Sequence, residues 1–233
     1  MSNSKLVLLS IILVAATRQA MPAQPVQPRQ ADGDGTIAIS GELKQWHKVS
    51  LSLQGPFAHE NDSQPNPFLD RCLRVTFTHA SGNPSYTVPG YFAADGDAAN
   101  SSAKSGTVWR AHLSPDKPGK WSYEVSFLEG PGISLELNPS GKSLAPYDGK
   151  AGEFTVASTD KDAPDLRASG RLAYVGGHHL RFQGSGKYFL KAGPDAPETL
   201  LAYTDFDDAT TGKSPLKTWE PHVQDWRTGD PTW

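Results

Sequence analysis

Acidic side chains crowd the C-terminal part of the sequence, and carboxylates are the groups that could carry out hydrolysis there. Glycoside hydrolysis needs two carboxyl groups, about 5–5.5 Å apart for retention of configuration or about 6.5–9.5 Å apart for inversion. The sequence fixes no such distance, and Asp and Glu are also the usual residues at helix caps and turns. We therefore predict no catalytic residue in this region. Its acids are interpreted as helix caps and loop residues, and they are Glu198, Asp205, Asp207, Asp208, Glu220, Asp225 and Asp230.

Three of the six tryptophans, Trp219, Trp226 and Trp233, lie in the same region. A large, rigid aromatic ring with a polar edge is suited to stacking on a sugar. Pro221 and Pro231 disfavour a regular helix through all three positions. Two interpretations remain open. The tryptophans contact a glycan, with Trp219 as the candidate, or they pack against other parts of a larger fold.

Residue types that bind metals or cofactors form weaker patterns. The segment DGDAAN (residues 95–100) has the oxygen-ligand spacing of a partial calcium loop, but it lacks the closing glutamate, which favours an ordinary turn. His178 and His179 are adjacent, so in a strand they would point to opposite sides. Cys72 is the sole cysteine, which excludes an intrachain disulfide and a cysteine-based zinc site. We predict neither a metal site nor a cofactor.

Residues 1–23 are typical of a secretory signal peptide. Lys5 supplies a positive charge, and the apolar run over residues 6–16 is too short for a bilayer core of about 30 Å. The net charge of −3 and the absence of a Lys/Arg-rich cluster argue against a nucleic-acid partner. We expect a secreted or periplasmic protein with no membrane span in the mature chain. Residues 24–35 are rich in Pro, Gln and Gly and are predicted to be a linker.

Residues 36–159 contain short segments in which apolar and polar residues alternate. This period of two predicts strands with one buried face, and the segment WSYEVSF (121–127) is the clearest case. Turn-forming residues over 114–120 predict a hairpin between the two strands beside them. The segment ISLEL (133–137) predicts a further strand. Six or seven such strands are typical of an immunoglobulin-like antiparallel β-sandwich, so we predict a mainly β domain.

The character of the sequence changes after this region. Residues 160–170 are polar and are predicted to be a second linker. Two short strand-like pieces follow, and residues 188–191 predict a strand. Asp195 and Glu198 then have the positions of the N-cap and the capping box of a helix. A strand followed by a capped helix is typical of the start of an α/β unit.

Three motifs carry a resemblance to a known family. They are VPGYFAADG (88–96), the pair Trp109-Arg110, and PDKPGKWSY (115–123). Together with residues 55–77, they resemble domain-of-unknown-function family 5060. This is an immunoglobulin-like domain at the front of many secreted bacterial glycoside-hydrolase-like proteins. The resemblance covers roughly residues 40–160 and implies the β-sandwich over residues 36–159.

The segment from Arg181 to Asp208 resembles the opening of the barrel that follows in such proteins. This resemblance implies that residues 171–233 are the truncated beginning of a glycoside-hydrolase-like barrel of the TIM type. Asp195 and Glu198 would lie on its first strand-to-helix loop, and such loops carry the active sites of these barrels. We therefore name Asp195, Glu198 and Trp219 as candidate substrate-binding residues.

The function expected from the sequence is that of an N-terminal accessory domain in a secreted carbohydrate-active protein, with no catalysis of its own. Its partners would be a polysaccharide or glycan and the C-terminal barrel of the full-length protein. The alternative is a stand-alone secreted β-sandwich that binds glycans or a partner protein.

Overall fold

The computed structural model of the protein describes residues 25–190, together with Thr218, Gln224, Arg227 and Thr228. Strands dominate the described part, so the predicted mainly β fold is confirmed. The strands are β1 (Ile37–Gly41), β2 (Val49–His59), β3 (Arg71–His79), β4 (Ser85–Phe92), β5 (Ser105–Leu113), β6 (Gly119–Glu129), β7 (Lys142–Ser143), β8 (Ala151–Val156), β9 (Leu172–Ala173) and β10 (Arg181–Phe182). The helical segments are α1 (Ala98–Ser101) and the 3-10 turns Ile133–Leu135 and Leu166–Ala168. None of these described segments is long and apolar enough to cross a membrane.

Strands β1 to β8 form one curled antiparallel sheet. Its order is β1-β2-β5-β4-β3-β6-β7, and β8 also pairs with β6. Strand β4 joins the two halves of the sheet, because its first part pairs with β3 as far as Pro89 and its last part pairs with β5 from Gly90 onward. One half therefore contains β1, β2 and β5, and the other contains β3, β6, β7 and β8.

The curl of the sheet brings the apolar faces of its two halves together. Trp109 of β5 and Phe127 of β6 lie on unpaired strands, yet their ring centroids are 4.8 Å apart. A Cβ atom on Gly55 would lie 2.5 Å from Trp109 Cδ1, so only glycine leaves room for the indole. Alternating residues of five strands complete this core: Val49, Leu51, Leu53, Leu73, Val75, Phe77, Ala111, Leu113, Trp121, Val125, Phe154 and Val156.

The predicted hairpin across residues 114–120 is wrong. Strand β5 pairs with β2 and β4, whereas β6 pairs with β3, β7 and β8. The loop instead carries the chain from one half of the sheet to the other. Contacts with the β1–β2 connection hold it, since Trp46 N donates to Pro115 O at 2.8 Å and Gln45 Nε2 donates to Asp116 O at 2.8 Å.

The strand predicted over residues 133–137 is also wrong, because this segment forms a 3-10 turn. Gly132 has a φ of 64°, a left-handed conformation that turns the chain out of an extended path. Only Ile133 enters the core, while Leu135 and Leu137 are 76% and 90% exposed. The apolar alternation in ISLEL therefore has no buried face behind it.

Residues 25–35 lie against strand β2, although their composition is that of a linker. Asp62 is 2% exposed and receives hydrogen bonds from the backbone N–H of Val26 and from the guanidinium of Arg29. Asp32 accepts from the Phe57 N–H, and the Tyr147 hydroxyl donates to Gly33 O. These contacts fix the start of the described chain to the sheet.

Residues 171–190, here called the hairpin segment, contain the two-residue strands β9 and β10. These confirm the short strand-like pieces predicted after residue 170. Of the strand predicted over residues 188–191, the structure shows an isolated bridge from Tyr188 to Arg181, and Lys191 lies outside the described residues. The segment packs on Trp46, where a Cβ atom on Gly184 would lie 3.3 Å from the indole Nε1. Arg171 donates to the Tyr86 hydroxyl at 3.1 Å.

Candidate functional site

The outer face of strands β2, β5 and β4 carries polar side chains around one exposed tyrosine. In the sheet register Tyr91 lies opposite Arg110, and Arg110 lies opposite Ser52. Two residues further along β5, His112 lies opposite Ser50. Because residues two apart in a strand share a face, these side chains lie on the same side of the sheet, away from the core.

A hydrogen-bonded chain holds the ring of Tyr91 in place. The Tyr91 hydroxyl lies 3.0 Å from His112 Nε2, and His112 Nδ1 lies 2.9 Å from Ser50 Oγ. Partial burial, and then the nearby Lys48 and Arg110, lower the pKa of His112 below its ordinary value. The imidazole is therefore neutral at pH 7, where one ring nitrogen donates and the other accepts. Tyr91 is 44% exposed, so it offers an oriented aromatic surface to solvent.

Arg110 is oriented by two contacts beside Tyr91. Its Nε donates to Ser52 Oγ at 3.2 Å, and its terminal NH2 group donates to Gly96 O at 2.9 Å. Gly96 belongs to the loop that the DGDAAN segment forms. Asp95 accepts hydrogen bonds from the Asp97 N–H and from the Ser101 hydroxyl, which folds this loop tightly over the end of β4. The carboxylate oxygens of Asp95 therefore serve the turn.

Phe68 lines an open pocket together with Tyr91 and Arg110. Its ring meets that of Phe92 edge to face at 6.2 Å between centroids, and Phe68 is 51% exposed. The pocket has a volume of about 340 Å³ and is here called the Tyr91 pocket. Its lining comprises Phe68, Tyr91, Phe92, Arg110, the acids Glu60 and Asp97, and small residues of the loop, Ala93, Ala94, Gly96, Ala98, Ala99 and Ala103.

The lining of the Tyr91 pocket combines aromatic rings with charged side chains, two kinds of group that can contact a sugar. Aromatic rings pack against the apolar faces of a sugar, while charged side chains exchange hydrogen bonds with its hydroxyl groups. Arg110 supplies donors, and Glu60 and Asp97 supply acceptors. Lys104 lies 3.5 Å from Glu60 and partly balances its charge.

A second group of charged residues lies where the β1–β2 connection meets residues 157–167. Ligand atoms of Glu42, His47 and Asp160 lie within 4.8 Å of one another, which is close enough for a metal ion. Lys44 Nζ, however, lies 2.5 Å from Asp160, and Lys161 Nζ lies 3.4 Å from it. The hydrogen bond from Lys44 is the main reason why the pKa of Asp160 falls to about 2. The ammonium groups of Lys44 and Lys161 therefore already balance these carboxylates. We interpret the group as an ion-pair network that joins the β1–β2 connection to residues 157–167.

The candidate residues named from the sequence are not among the described residues that line the Tyr91 pocket. Asp195, Glu198 and Trp219 lie outside the described residues, so their proposed substrate contacts stay predictions. The structure brings together residues that the sequence did not name as a site, namely Tyr91, Phe68 and Arg110. Two of them stand inside the resemblance motifs, Tyr91 in VPGYFAADG and Arg110 in the Trp-Arg pair, which was the available signal.

Comparison with known proteins gives a family match for one part of the chain. A family model described as a domain of unknown function, DUF5060, matches residues 42–128, which is less than half of the chain. No curated protein gives a match. A crystal structure of a "putative glycoside hydrolase" from Bacteroides vulgatus ATCC 8482 aligns with 63% of this chain at 23% identity and a TM-score of 0.38. This chain spans 20% of that protein's length, and a similarity of this size supports no conclusion about function. The family match confirms the resemblance over residues 42–128.

Proposed function

We propose that the domain matched over residues 42–128 is a non-catalytic accessory domain of a secreted carbohydrate-active protein, and that it binds glycan chains at the Tyr91 pocket. The observation that carries the proposal is the pair of exposed rings, Tyr91 and Phe68, which line the same pocket as the oriented Arg110. The export signal predicted over residues 1–23 and the family's occurrence in glycoside-hydrolase-like proteins support the secreted, carbohydrate-related setting.

In this proposal the curled sheet is an immunoglobulin-like β-sandwich. Strands β1, β2 and β5 form one layer, and β3, β6 and β8 form the other. The contact of Trp109 with Phe127 between unpaired strands supports this interpretation, because facing sheets bury their inner side chains against each other. Residues 171–233 are the beginning of a glycoside-hydrolase-like barrel, an interpretation that the sequence resemblance supports.

Binding at the Tyr91 pocket is expected to depend on the aromatic ring. Affinity electrophoresis of the full chain in gels that contain plant or algal polysaccharides gives its affinity for each polymer. Replacing Tyr91 by alanine removes the stacking surface and is expected to weaken binding about tenfold. The variant Tyr91→Phe keeps the ring and loses the bond to His112, so its loss of affinity is expected to be smaller.

Tyr174→Ala is the matched control, because Tyr174 is also an exposed tyrosine but lies outside the Tyr91 pocket. Its mobility in the gels should equal that of the unmodified chain. Equal retardation of Tyr91→Ala and the unmodified chain by every polymer that binds would contradict the proposed site.

The same polysaccharides test the absence of catalysis. The proposal expects no release of reducing sugar by the purified chain over a long incubation, because the proposed role of the pocket is binding alone. Turnover above that of a heat-denatured sample, for any polymer, would show that the chain is an enzyme.

A stand-alone domain that binds a partner protein is the second candidate function. The observation in its favour is that Phe68 and Leu69 are adjacent and are 51% and 43% exposed, beside the equally exposed Tyr91. Exposed apolar patches of this kind mark protein interaction sites as well as ligand grooves. Binding of the polysaccharides that is sensitive to Tyr91→Ala would decide in favour of the glycan.

A further inference from the structure

Arg110 is a half-buried cation that forms no ion pair with any acid among the described residues. Arg71, on the other half of the sheet, has a carboxylate partner, since its Nε lies 3.3 Å from Glu129. The partners of Arg110 are neutral instead, namely the Ser52 hydroxyl and the carbonyl oxygen of Gly96. A cation that is partly removed from water is stabilised by a nearby anion, and a ligand can supply the anion that Arg110 lacks.

The guanidinium of Arg110 keeps hydrogen-bond donors for such a ligand. Arginine has five N–H groups in a planar fork. Ser52 takes the N–H on Nε and Gly96 takes one on Nη2, so both N–H groups on Nη1 and one on Nη2 remain. Two oxygens of a carboxylate or a sulfate ester match this planar arrangement of donors. Since Ser52 and Gly96 already hold the side chain, binding an anion would order it little further.

The two acids that line the Tyr91 pocket have partners other than Arg110. Glu60 lies 3.5 Å from the ammonium group of Lys104. Asp97 is exposed to solvent, and its Oδ1 accepts a hydrogen bond from Asn100 Nδ2 at 2.8 Å. Neither acid therefore neutralises Arg110, and Lys104 limits the repulsion between Glu60 and an anionic ligand.

The neighbourhood of the Tyr91 ring carries further positive charge. Lys48, an exposed residue just before β2, lies near His112, whose Nε2 contacts the Tyr91 hydroxyl. After burial, the charges of Lys48 and Arg110 are what lower the pKa of His112. A ligand stacked on Tyr91 therefore lies in a positive potential that two side chains of different strands and loops supply.

We propose that the ligand of the Tyr91 pocket is an anionic glycan, in which one sugar ring packs on Tyr91 while a carboxylate or sulfate ester of the glycan accepts hydrogen bonds from Arg110. Uronic acids supply the carboxylate, and sulfated sugars supply the sulfate ester. This inference rests on the glycan binding proposed above and narrows it to acidic polysaccharides. In it Tyr91 provides the stacking surface and Arg110 determines the specificity.

Isothermal titration calorimetry of the full chain with two matched pairs of polymers tests the proposal. The first pair is polygalacturonate and its methyl ester, and the second is dextran sulfate and dextran. At low salt the charged member of at least one pair is expected to bind about tenfold more tightly than the neutral member. Added NaCl at about 0.5 M should reduce this difference, because salt screens the charges. The pair that shows the preference tells whether the anion is a carboxylate or a sulfate ester.

Substitution of Arg110 identifies the group that recognises the anion. Arg110→Gln is expected to weaken binding of the charged polymer about tenfold and that of its neutral partner less than about twofold. Arg110→Lys keeps the charge and loses the planar fork, so its loss should be intermediate. Arg74→Gln is the matched control, because Arg74 also donates to two carbonyl oxygens, those of Glu136 and Leu137, but lies outside the Tyr91 pocket. Its affinities should equal those of the unmodified chain.

Three outcomes would overturn the inference, and they separate it from the proposed function. Equal affinity for the charged and the neutral polymers, with binding still sensitive to Tyr91→Ala, would remove the anionic preference and leave glycan binding at the pocket intact. Equal losses in Arg74→Gln and Arg110→Gln would assign the preference to general attraction between opposite charges. Binding of the charged polymers that Tyr91→Ala leaves unchanged would contradict the Tyr91 pocket as the glycan site, and with it both proposals.

Discussion

Replacing Trp109 by alanine is expected to lower the free energy of unfolding by about 3–5 kcal/mol. The indole is fully buried between the two halves of the sheet, where it contacts Phe127 and Phe92 at centroid distances of 4.8 and 5.3 Å. Its Nε1–H donates to Pro56 O at 3.0 Å. Alanine would leave a cavity at this junction and an unpaired buried carbonyl, and urea denaturation followed by circular dichroism would measure the loss.

The control for Trp109 is Leu137→Ala. Leu137 is 90% exposed, so its truncation is expected to change the free energy of unfolding by less than about 0.5 kcal/mol. The variant Trp109→Phe separates the two contributions of the indole, since it keeps most of the ring and loses the bond to Pro56. A midpoint of denaturation for Trp109→Ala that matches the unmodified chain would contradict the role of this residue as the contact between the two halves.

Replacing Asp62 by alanine is expected to cost about 3 kcal/mol of stability at pH 7. The carboxylate joins the start of the described chain to β2, because it accepts from the Val26 N–H at 2.8 Å, from the His59 N–H at 2.9 Å and from Arg29 at 2.9 Å. Its loss leaves these donors without their acceptor. Urea denaturation at pH 7 measures the difference, with Asp162→Ala, a change at an exposed acid, as the control.

The contribution of Asp62 to the free energy of unfolding is expected to decrease as the pH falls. Burial raises the pKa of Asp62, but the hydrogen bonds from His59, Arg29 and Val26 outweigh burial and place the pKa below its ordinary value. A group of this kind stabilises the fold above its unfolded pKa of about 3.9, and the contribution disappears as the pH falls through the folded pKa. The difference in stability between Asp62→Ala and the unmodified chain should therefore be constant above about pH 5 and shrink on acidification. An unchanged difference at pH 3 would contradict this assignment.

The strands were predictable from sequence where alternation coincides with burial. In β6, Trp121, Val125 and Phe127 are all buried, and the pattern in the sequence shows them directly. The pairing partners were not predictable in the same way. Residues 114–120 have the composition of a tight turn, and composition is the same for a hairpin and for a crossing between two halves of a sheet. Contacts with Trp46, which is distant in sequence, decide between them.

The sequence predicts less of the candidate site than of the fold. A search for paired acids and tryptophans leads to residues 195–233, whereas the Tyr91 pocket combines residues from three separate segments. Tyr91 becomes a binding surface because His112 and Ser50 orient it, and these partners come from different strands. Register is a property of the folded sheet, so residue types alone do not reveal this arrangement. The motif VPGYFAADG located the region without indicating which of its side chains face solvent.

The strand that joins the two halves of the sheet has a consequence for the rate of folding. Val49 pairs with Leu113 and Arg71 pairs with Glu129, so most cross-strand bonds join residues that are far apart in the chain. The β1–β2 and β3–β4 pairings are the local exceptions, and the second of them already contains the strand that both halves share. Chain entropy opposes the distant pairings until this strand is in place, which favours acquisition of the native state over milliseconds to seconds. In a nascent chain, one edge of β2 and one edge of β3 would stay unpaired until β5 and β6 had been synthesised.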